Sequence, residues 1–123
     1  MKYLLLIYGN EGDWATMSEE EQGKSYQEYM EYTQDIYKKG QYIAGEALQP
    51  IATATTVRVK NGKTLTTDGP FAETREQLGG FYMVEAKDLD EAISLAARIP
   101  SARHGSIEVR PIMPTPAPAT IGA

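Results

Sequence analysis

The chain turns at Asp68-Gly69-Pro70-Phe71-Ala72-Glu73-Thr74-Arg75-Glu76-Gln77-Leu78-Gly79-Gly80-Phe81, a segment that joins two strand-like runs and so sets the path of the fold. Gly and Pro fix a tight backbone path there, and ionisable side chains crowd around it. Because connecting segments carry function more often than the elements that they join, we expect a functional site close to this turn.

Upstream of the turn, Asn61-Gly62 predicts a β-hairpin, because both residues tolerate the positive φ of a type I′ turn. Its strands are predicted over residues 53–59, which alternate and are β-branched, and over residues 63–67. A short strand over residues 42–48, interrupted by Gly45, precedes the hairpin. The stretches 42–48 and 53–59 are either one bent strand or two.

Downstream of the turn, residues 80–86 alternate as a strand does, and Asp88 with Glu91 caps a helix that Pro100 ends. The apolar residues expected to face the core from this helix are Leu89, Ala92, Ile93, Ala96 and Ile99. Residues 106–112 alternate again and predict a last strand.

The first part of the chain predicts a strand and a long helix. Residues 2–8 are apolar and end at Gly9-Asn10, as a buried strand bounded by a turn does. Ser18 and Glu21 form a Ser-x-x-Glu capping box that begins a helix, and Gly40 closes it. The helix carries a stripe of residues expected to pack against the sheet: Tyr26, Tyr29, Met30, Tyr32, Thr33, Ile36 and Tyr37.

The element order is β-α-β-β-α-β with an extra strand near residue 45, which predicts an α+β, ferredoxin-like sandwich. One sheet face then needs a cover, and a second copy of the chain is the simplest one, so we expect a homodimer that forms a dimeric α/β barrel. Residues 1–112 are expected to form a single domain, and residues 113–123 a Pro-rich, extended C-terminal tail that alternatively lies across a partner subunit.

Composition excludes several functions. Twelve basic and 17 acidic residues give a net charge of −5, and no run of Lys or Arg is present, so nucleic-acid binding is not expected. The apolar run Leu4-Leu5-Leu6-Ile7 is far shorter than a membrane span, and no signal peptide is visible, so we expect a cytoplasmic protein without a membrane partner. With no Cys and His104 as the single His, neither a metal nor a cofactor is expected.

Residues 68–82 resemble the signature of the DGPF-domain branch of the YCII-related family. The resemblance extends to residues 1–9, to Gly45-Glu46-Ala47-Leu48-Gln49-Pro50, and to Ser106-Ile107-Glu108-Val109-Arg110-Pro111-Ile112. It implies the same dimeric α/β barrel. Members of this branch are mostly uncharacterised, and some are similar to proteins encoded beside extracytoplasmic-function sigma factors.

The wider YCII-related family includes a dehydrochlorinase of chlorinated hydroxyquinols, for which a His/Asp acid–base dyad has been proposed. This chain departs from that pattern, because His104 lies in its last loop. The dyad is therefore not transferred, and Asp68 alone matches the branch signature. Asp68 is the candidate base, or else it accepts backbone N–H groups in its own turn. His104 is the second candidate catalytic residue if the fold brings it to Asp68.

Four further residues are candidate substrate-binding groups. Arg75 and Arg58 can hold a carboxylate through paired hydrogen bonds, although Arg75 can instead pair with its acidic neighbours. Glu46 is either an inward-facing site group or an exposed charge on an edge strand. The Tyr8 hydroxyl can point into a cavity.

Two functions follow from these candidates. The first is cofactor-independent acid–base catalysis, such as elimination or isomerisation, on a small organic molecule. The second is a non-catalytic module that binds a small ligand or assembles with a regulatory partner, with a link to sigma-factor regulation implied by the resemblance.

Overall fold

A computed structural model describes residues 1–116 of the chain. Its strands are β1 (Lys2–Gly9), β2 (Tyr42–Ala47), β3 (Thr55–Lys60), β4 (Lys63–Asp68), β5 (Gln77–Glu85) and β6 (Ser106–Pro111). Its helices are α1 (Glu11–Thr16), α2 (Glu19–Lys38) and α3 (Leu89–Ala97), with short 3₁₀ turns at Ile51–Thr53 and Pro100–Arg103.

The main sheet has the order β2-β5-β1-β6, and its neighbouring strands are antiparallel. β1 lies inside the sheet because it pairs with both β5 and β6. α2 connects β1 to the edge strand β2, and α3 connects β5 to β6. This mixed arrangement is compatible with the ferredoxin-like α+β fold that the element order predicts.

The helix ends follow the predicted caps. The Ser18 hydroxyl accepts a hydrogen bond from the Glu21 backbone N–H, and the Glu21 carboxylate accepts one from the Ser18 N–H, so the capping box is complete. Gly40, with a φ of 73°, turns the chain into β2 after α2. The Asp88 side chain caps α3, but this helix ends at Ala97, and Pro100 instead begins a 3₁₀ turn.

α1 was not predicted. It has only six residues, none of them buried, so it lacks the apolar stripe by which a helix is recognised in a sequence. The Asn10 side chain accepts a hydrogen bond from the Gly12 backbone N–H and caps it.

The core lies between one face of the main sheet and the helices α2 and α3. Its buried residues are Tyr3, Leu5, Tyr32, Ile36, Tyr82, Val84, Ala86, Ala92, Leu95, Ala96 and Ile99. The Tyr32 hydroxyl donates to the Leu95 carbonyl oxygen at 2.7 Å, so a buried polar group is satisfied. Burial raises the pKa of Tyr32, so this hydroxyl stays protonated well above neutral pH.

The predicted tyrosine stripe is only partly buried. Tyr32 and Ile36 face the sheet, whereas Tyr26, Met30 and Tyr37 are 61–70% exposed. The last three lie roughly 80–120° from Ile36 around the helix axis, beside the buried stripe rather than in it. On α3, Leu95 is buried in place of Leu89 and Ile93, which are about half exposed.

β3 and β4 form a separate two-stranded sheet. Asn61 and Gly62 adopt φ values of 51° and 76°, which confirms the predicted hairpin turn. β2 and β3 are distinct strands in different sheets, which resolves the alternative between one bent strand and two. Nearly every residue of the hairpin is exposed.

The second face of the main sheet carries apolar side chains that are half-buried. Leu4 pairs with Met83, and Leu6 pairs with Phe81, in the register between β1 and β5. Their sequence neighbours Tyr3, Leu5, Tyr82 and Val84 point to the core, so alternation places Leu4, Leu6, Phe81 and Met83 on the opposite face. We call these four residues the outer sheet face.

Within residues 1–116, none of the helices is long and apolar enough to cross a membrane. Of the expected Pro-rich tail, residues 113–116 are exposed and form neither helix nor strand. Residues 117–123 of that tail lie outside the described residues.

Candidate functional site

A cleft of about 480 Å³ opens at the end of β1, between α1, the loop before β5 and the loop before β6. We call it the polar cleft. Its lining residues are Tyr8, Asn10, Asp13, Thr74, Arg75, Glu76, His104 and Ser106.

An irregularity in the pairing of β1 with β5 lies next to Tyr8, which lines the polar cleft. Ile7 pairs with Gly80, but the next residue, Tyr8, pairs with Leu78, so Gly79 is an extra residue in β5. Such a bulge re-aims the neighbouring side chains. The carbonyl of Gly79 accepts a hydrogen bond from the Leu48 N–H at 2.9 Å, which keeps the extra peptide group satisfied.

Gly105 allows the loop before β6 to approach β1. A Cβ atom at this position would lie 2.1 Å from the Tyr8 carbonyl oxygen, a distance that no side chain tolerates. The backbone N–H groups of His104 and Gly105 both donate to the Ser101 carbonyl oxygen, at 3.1 and 2.8 Å. These contacts place His104 directly beside the end of β1.

The turn that carries His104 is also attached to α2. The hydroxyls of Tyr29 and Ser101 share a hydrogen bond, and the Arg103 guanidinium pairs with the Glu28 carboxylate. Burial raises the pKa of Tyr29, so its hydroxyl stays protonated, and can keep this hydrogen bond, well above neutral pH.

The loop before β5 is attached through Gln77. The Gln77 side-chain amide donates to the Thr74 carbonyl oxygen at 2.9 Å, and its oxygen accepts from the Glu11 N–H at 3.1 Å. The Ser106 hydroxyl donates to the Glu76 carboxylate at 2.8 Å and joins this loop to the start of β6. The loop therefore holds Arg75 between two fixed neighbours.

Arg75 is not used by the local ion pairs that the sequence allowed. The ion pairs within residues 1–116 do not include its guanidinium, and its neighbour Glu76 bonds to Ser106 instead. An arginine in this state can offer several N–H donors to the carboxylate of a ligand.

The cleft thus combines groups with complementary chemistry. His104 supplies an imidazole that can take up or release a proton, Tyr8 a hydroxyl, and Arg75 a fixed positive charge, while Asp13 and Glu76 supply carboxylates. Arg75, His104 and Asp13 are exposed, so the cleft is open to solvent.

Three of the six predicted site residues, Tyr8, Arg75 and His104, meet in the polar cleft, and the other three lie elsewhere. Glu46 is exposed in β2 at the edge of the sheet, opposite Phe81. Arg58 lies in the hairpin, with its guanidinium carbon 5.1 Å from the centre of the Phe71 ring.

Asp68 does not line the polar cleft. It is exposed at the end of β4, where it pairs with Thr55. Its turn is closed by other groups: the Gly69 N–H donates to the Ala54 carbonyl oxygen at 2.7 Å, and the Thr56 hydroxyl donates to the Gly69 carbonyl oxygen at 2.9 Å. The structure therefore does not bring Asp68 and His104 together in one site.

Sequence reasoning missed Asn10, Asp13, Thr74 and Ser106 and gave Glu76 no site role. Asn10, followed by the acidic residues Glu11 and Asp13, is a recognisable helix N-cap. This cap is the signal by which α1 could have been predicted from the sequence. Asp13 had no signal of its own, because only the tertiary fold brings α1 and the loop that carries His104 to the same cleft.

The family model of the YCII-related domain matches residues 1–116. An uncharacterized protein of Rhizobium meliloti (strain 1021) is 36% identical over 114 residues, which cover 91% of this chain and 92% of that protein. The chain therefore belongs to the YCII-related family.

Proposed function

We propose that the polar cleft binds a small organic molecule that carries an acidic group and that it performs cofactor-independent acid–base chemistry on it. The observation that carries the proposal is the meeting of Tyr8, Arg75 and His104, from three separate segments, in one cleft. A concave site in which a few polar groups converge is the usual form of a small-molecule site.

Each of the three residues has a distinct role. The Arg75 guanidinium binds the carboxylate or phenolate of the substrate through two hydrogen bonds, and the Tyr8 hydroxyl donates to a second substrate oxygen. The His104 imidazole transfers the proton. In an elimination it takes the proton from a C–H bond, the electron pair of that bond forms the new double bond, and the leaving group departs with its own bonding pair.

We assign the carboxylate that orients His104 to Asp13. Glu76 is engaged by the Ser106 hydroxyl, whereas Asp13 lines the same cleft from α1. The sequence pattern suggested Asp68 as the base. In this proposal His104 is the base and Asp13 orients it, while Asp68 remains a residue of the hairpin turn. Arg58 and Glu46 have no role in this proposal, because they do not line the cleft.

Ligand binding is tested first, with salicylate as the probe in a titration followed by amide NMR. We expect shifts centred on Gly105, Ser106 and Glu76, and an affinity at least about tenfold lower in Arg75→Gln, because a charge-assisted hydrogen bond is lost. Arg58→Gln is the matched control on the hairpin and keeps the wild-type affinity. Equal effects of the two substitutions, or shifts spread over the surface, would contradict the site.

Catalysis is tested separately, by chloride release from 3-chloropropionate, which carries a carboxylate for Arg75, acidic C–H bonds and a chloride leaving group on the adjacent carbon. His104→Gln and Asp13→Asn should lower kcat by at least about 100-fold, as expected for the loss of general acid–base catalysis, while Asp68→Asn retains turnover. If Asp68→Asn abolishes turnover with the fold intact, the assignment of the carboxylate to Asp13 is wrong.

A second function is a non-catalytic module that binds a ligand or assembles with a regulatory partner. The open cleft and the exposure of its ionisable groups favour it, because catalytic groups are commonly desolvated. In this case wild type binds salicylate, turns over no substrate of the elimination or isomerisation type, and His104→Gln changes affinity alone.

The motif at residues 68–82 supports the DGPF branch, and with it the link to sigma-factor regulation.

We further propose that the protein is a cytoplasmic homodimer, in which the outer sheet faces of two copies pack together as a dimeric α/β barrel. The support is the half-buried apolar set Leu4, Leu6, Phe81 and Met83, which another sheet would cover. Light scattering during size-exclusion chromatography tests this. Met83→Glu should give a monomer, while Val57→Glu on the exposed hairpin leaves the wild-type mass unchanged.

A further inference from the structure

The His104 imidazole is positioned by the backbone that carries it. The hydrogen bonds formed within residues 1–116 do not include an atom of its ring. The residue is also exposed, so packing does not fix the ring. Asp13, the carboxylate assigned to orient it, can do so only when the backbone brings the ring within reach. The contacts that hold this backbone therefore decide whether the polar cleft can work.

The backbone of His104 is held by Ser101. Pro100–Arg103 is a single 3₁₀ turn, and His104 follows it directly. The Ser101 carbonyl oxygen accepts hydrogen bonds from the N–H groups of both His104 and Gly105, at 3.1 and 2.8 Å. A displacement of Ser101 thus carries His104 with it. The close approach of Gly105 to the Tyr8 carbonyl oxygen, where no Cβ atom fits, fixes the chain on the side of β1.

Ser101 is in turn attached to α2 by its side chain. Its hydroxyl shares a hydrogen bond with the hydroxyl of Tyr29, which lies 72 residues earlier in the sequence. Both side chains are half-buried, and burial raises the pKa of Tyr29, so its hydroxyl keeps the proton well above neutral pH. Ser101 therefore connects α2, through its side chain, to the backbone of His104, through its carbonyl group.

A second attachment between the same turn and α2 is weaker. The Arg103 guanidinium pairs with the Glu28 carboxylate, but the two side chains are 60% and 43% exposed. Exposed ion pairs contribute little, because water and salt screen them and because two long side chains must be ordered. Tyr29 instead reaches Ser101 with a rigid ring that packs against the core. Tyr29 is therefore the stronger of the two attachments.

From these contacts we infer that Tyr29 is a positioning residue of the polar cleft. Its hydroxyl holds Ser101, and Ser101 holds the His104 backbone where the imidazole can reach the ligand. Tyr29 does not line the cleft, so it acts through Ser101 and touches no reacting atom. This role rests on the proposed function of the cleft. It gives a part in the site to a residue that the sequence placed in the core stripe of α2.

An ordinary structural role is the alternative, and the same helix offers a matched comparison for it. The hydroxyl of Tyr82, in β5, shares a hydrogen bond of 2.6 Å with the Thr33 hydroxyl of α2. Burial raises the pKa of Tyr82 as it does that of Tyr29. Within residues 1–116, neither Tyr82 nor Thr33 lines the polar cleft or forms a hydrogen bond with the turn before His104. Tyr82→Phe therefore removes a similar hydrogen bond without disturbing His104.

The test is NMR spectroscopy of the full chain. Because His104 is the single histidine of the sequence, all imidazole C–H signals belong to it. Tyr29→Phe and Ser101→Ala should each shift these signals, and the double variant should shift them no further, since all three remove the same hydrogen bond. Tyr82→Phe should leave them unchanged. Unchanged signals in Tyr29→Phe, or an equal change in Tyr82→Phe, would overturn the inference.

Kinetics distinguish the positioning of His104 from a general loss of stability. With 3-chloropropionate, Tyr29→Phe should lower kcat by about tenfold, because the imidazole is displaced from the reacting C–H bond. KM and the affinity for salicylate should keep their wild-type values, because Arg75 still binds the acidic group. A raised KM at an unchanged kcat would contradict a positioning role.

Failure of this inference and failure of the proposed function give different results. A wild type that neither binds salicylate nor releases chloride would refute the proposed function, while the imidazole signals would still shift in Tyr29→Phe. In a wild type that binds salicylate and turns over its substrate, unchanged imidazole signals and an unchanged kcat in Tyr29→Phe would refute the role of Tyr29 alone.

Discussion

The main sheet and the β3–β4 hairpin differ in how far their residues are buried. The main sheet and its helices bury eleven hydrophobic residues, whereas nearly every residue of the hairpin is exposed. The conspicuous Asp68 motif begins on the hairpin, yet the cleft forms where β1, α1 and two loops converge on the main sheet. Within residues 68–81, Asp68 lies on the hairpin, whereas Thr74, Arg75 and Glu76 line the cleft. Only part of a conspicuous motif therefore belongs to the site.

The largest effect should come from the core. Ile36→Ala removes a side chain that is 0% exposed, and we expect the free energy of unfolding to fall by about 2–5 kcal/mol. Val59→Ala on the hairpin, where Val59 is 71% exposed, should cost less than about 1 kcal/mol. Urea denaturation of both variants measures the contrast, and similar losses would show that the hairpin belongs to the same packed unit.

The second effect concerns the contact that builds the polar cleft. Gly105→Ala puts a Cβ atom against the Tyr8 carbonyl oxygen, so the loop must move, at a cost of about 1–3 kcal/mol. Gly9→Ala is the control, because no atom lies within 4 Å of a Cβ built there. We expect the amide signals of His104 and Ser106 to shift in Gly105→Ala alone. Unchanged stability and unchanged signals would mean that Gly105 does not position His104.

Much of the fold was predictable because its signals are local. Ser18 and Glu21 satisfy each other's backbone within one helical turn, and Asn61-Gly62 needs only its own φ values, so both were readable from short stretches. The apolar run of β1 and the alternation of β6 were equally visible. The face of α2 that packs on the sheet was not visible in the sequence, because tyrosine occurs both in cores and on surfaces. Tertiary packing buries Tyr32 and leaves Tyr26 and Tyr37 exposed.

The site was predictable only in part, because it is not local. Tyr8, Arg75 and His104 were chosen for their chemistry, and the structure places them in one cleft. Asp68 was chosen by its motif, but its position on the hairpin separates it from that cleft. Asp13 was missed because its place in the same cleft as His104 depends on tertiary packing, which no short stretch of sequence reports.

The third prediction compares a Gly→Ala substitution in the hairpin, which should destabilise the protein, with one in α2, which should stabilise it. Gly62→Ala forces a side chain into a φ of 76° and should destabilise the hairpin by about 1 kcal/mol. Gly23→Ala lies inside α2 with no atom within 4 Å of the new Cβ, and should stabilise the protein by about 0.5–1 kcal/mol. Thermal unfolding measures both. If Gly62→Ala unfolds with the wild-type midpoint, the hairpin contributes nothing to the cooperative transition.

The smallest effect should come from an ion pair on the surface of the helical layer. Arg98 and then Lys39 lower the pKa of Asp35 through hydrogen bonds to its carboxylate, and Arg98 lies just beyond α3, so the pair joins two helical segments. Because the folded pKa is below the unfolded value, the stabilisation is complete above about pH 4 and is lost as the pH falls through the folded pKa.

The stability difference between wild type and Asp35→Asn should therefore shrink on acidification. At neutral pH, 1 M NaCl should also shrink it, since both side chains are exposed to screening ions. Arg98→Gln should remove most of the pH dependence assigned to Asp35. A difference that persists at pH 2 would show that Asp35 stabilises the helical layer through packing rather than charge, which would make even this surface contact resemble the core more than the hairpin.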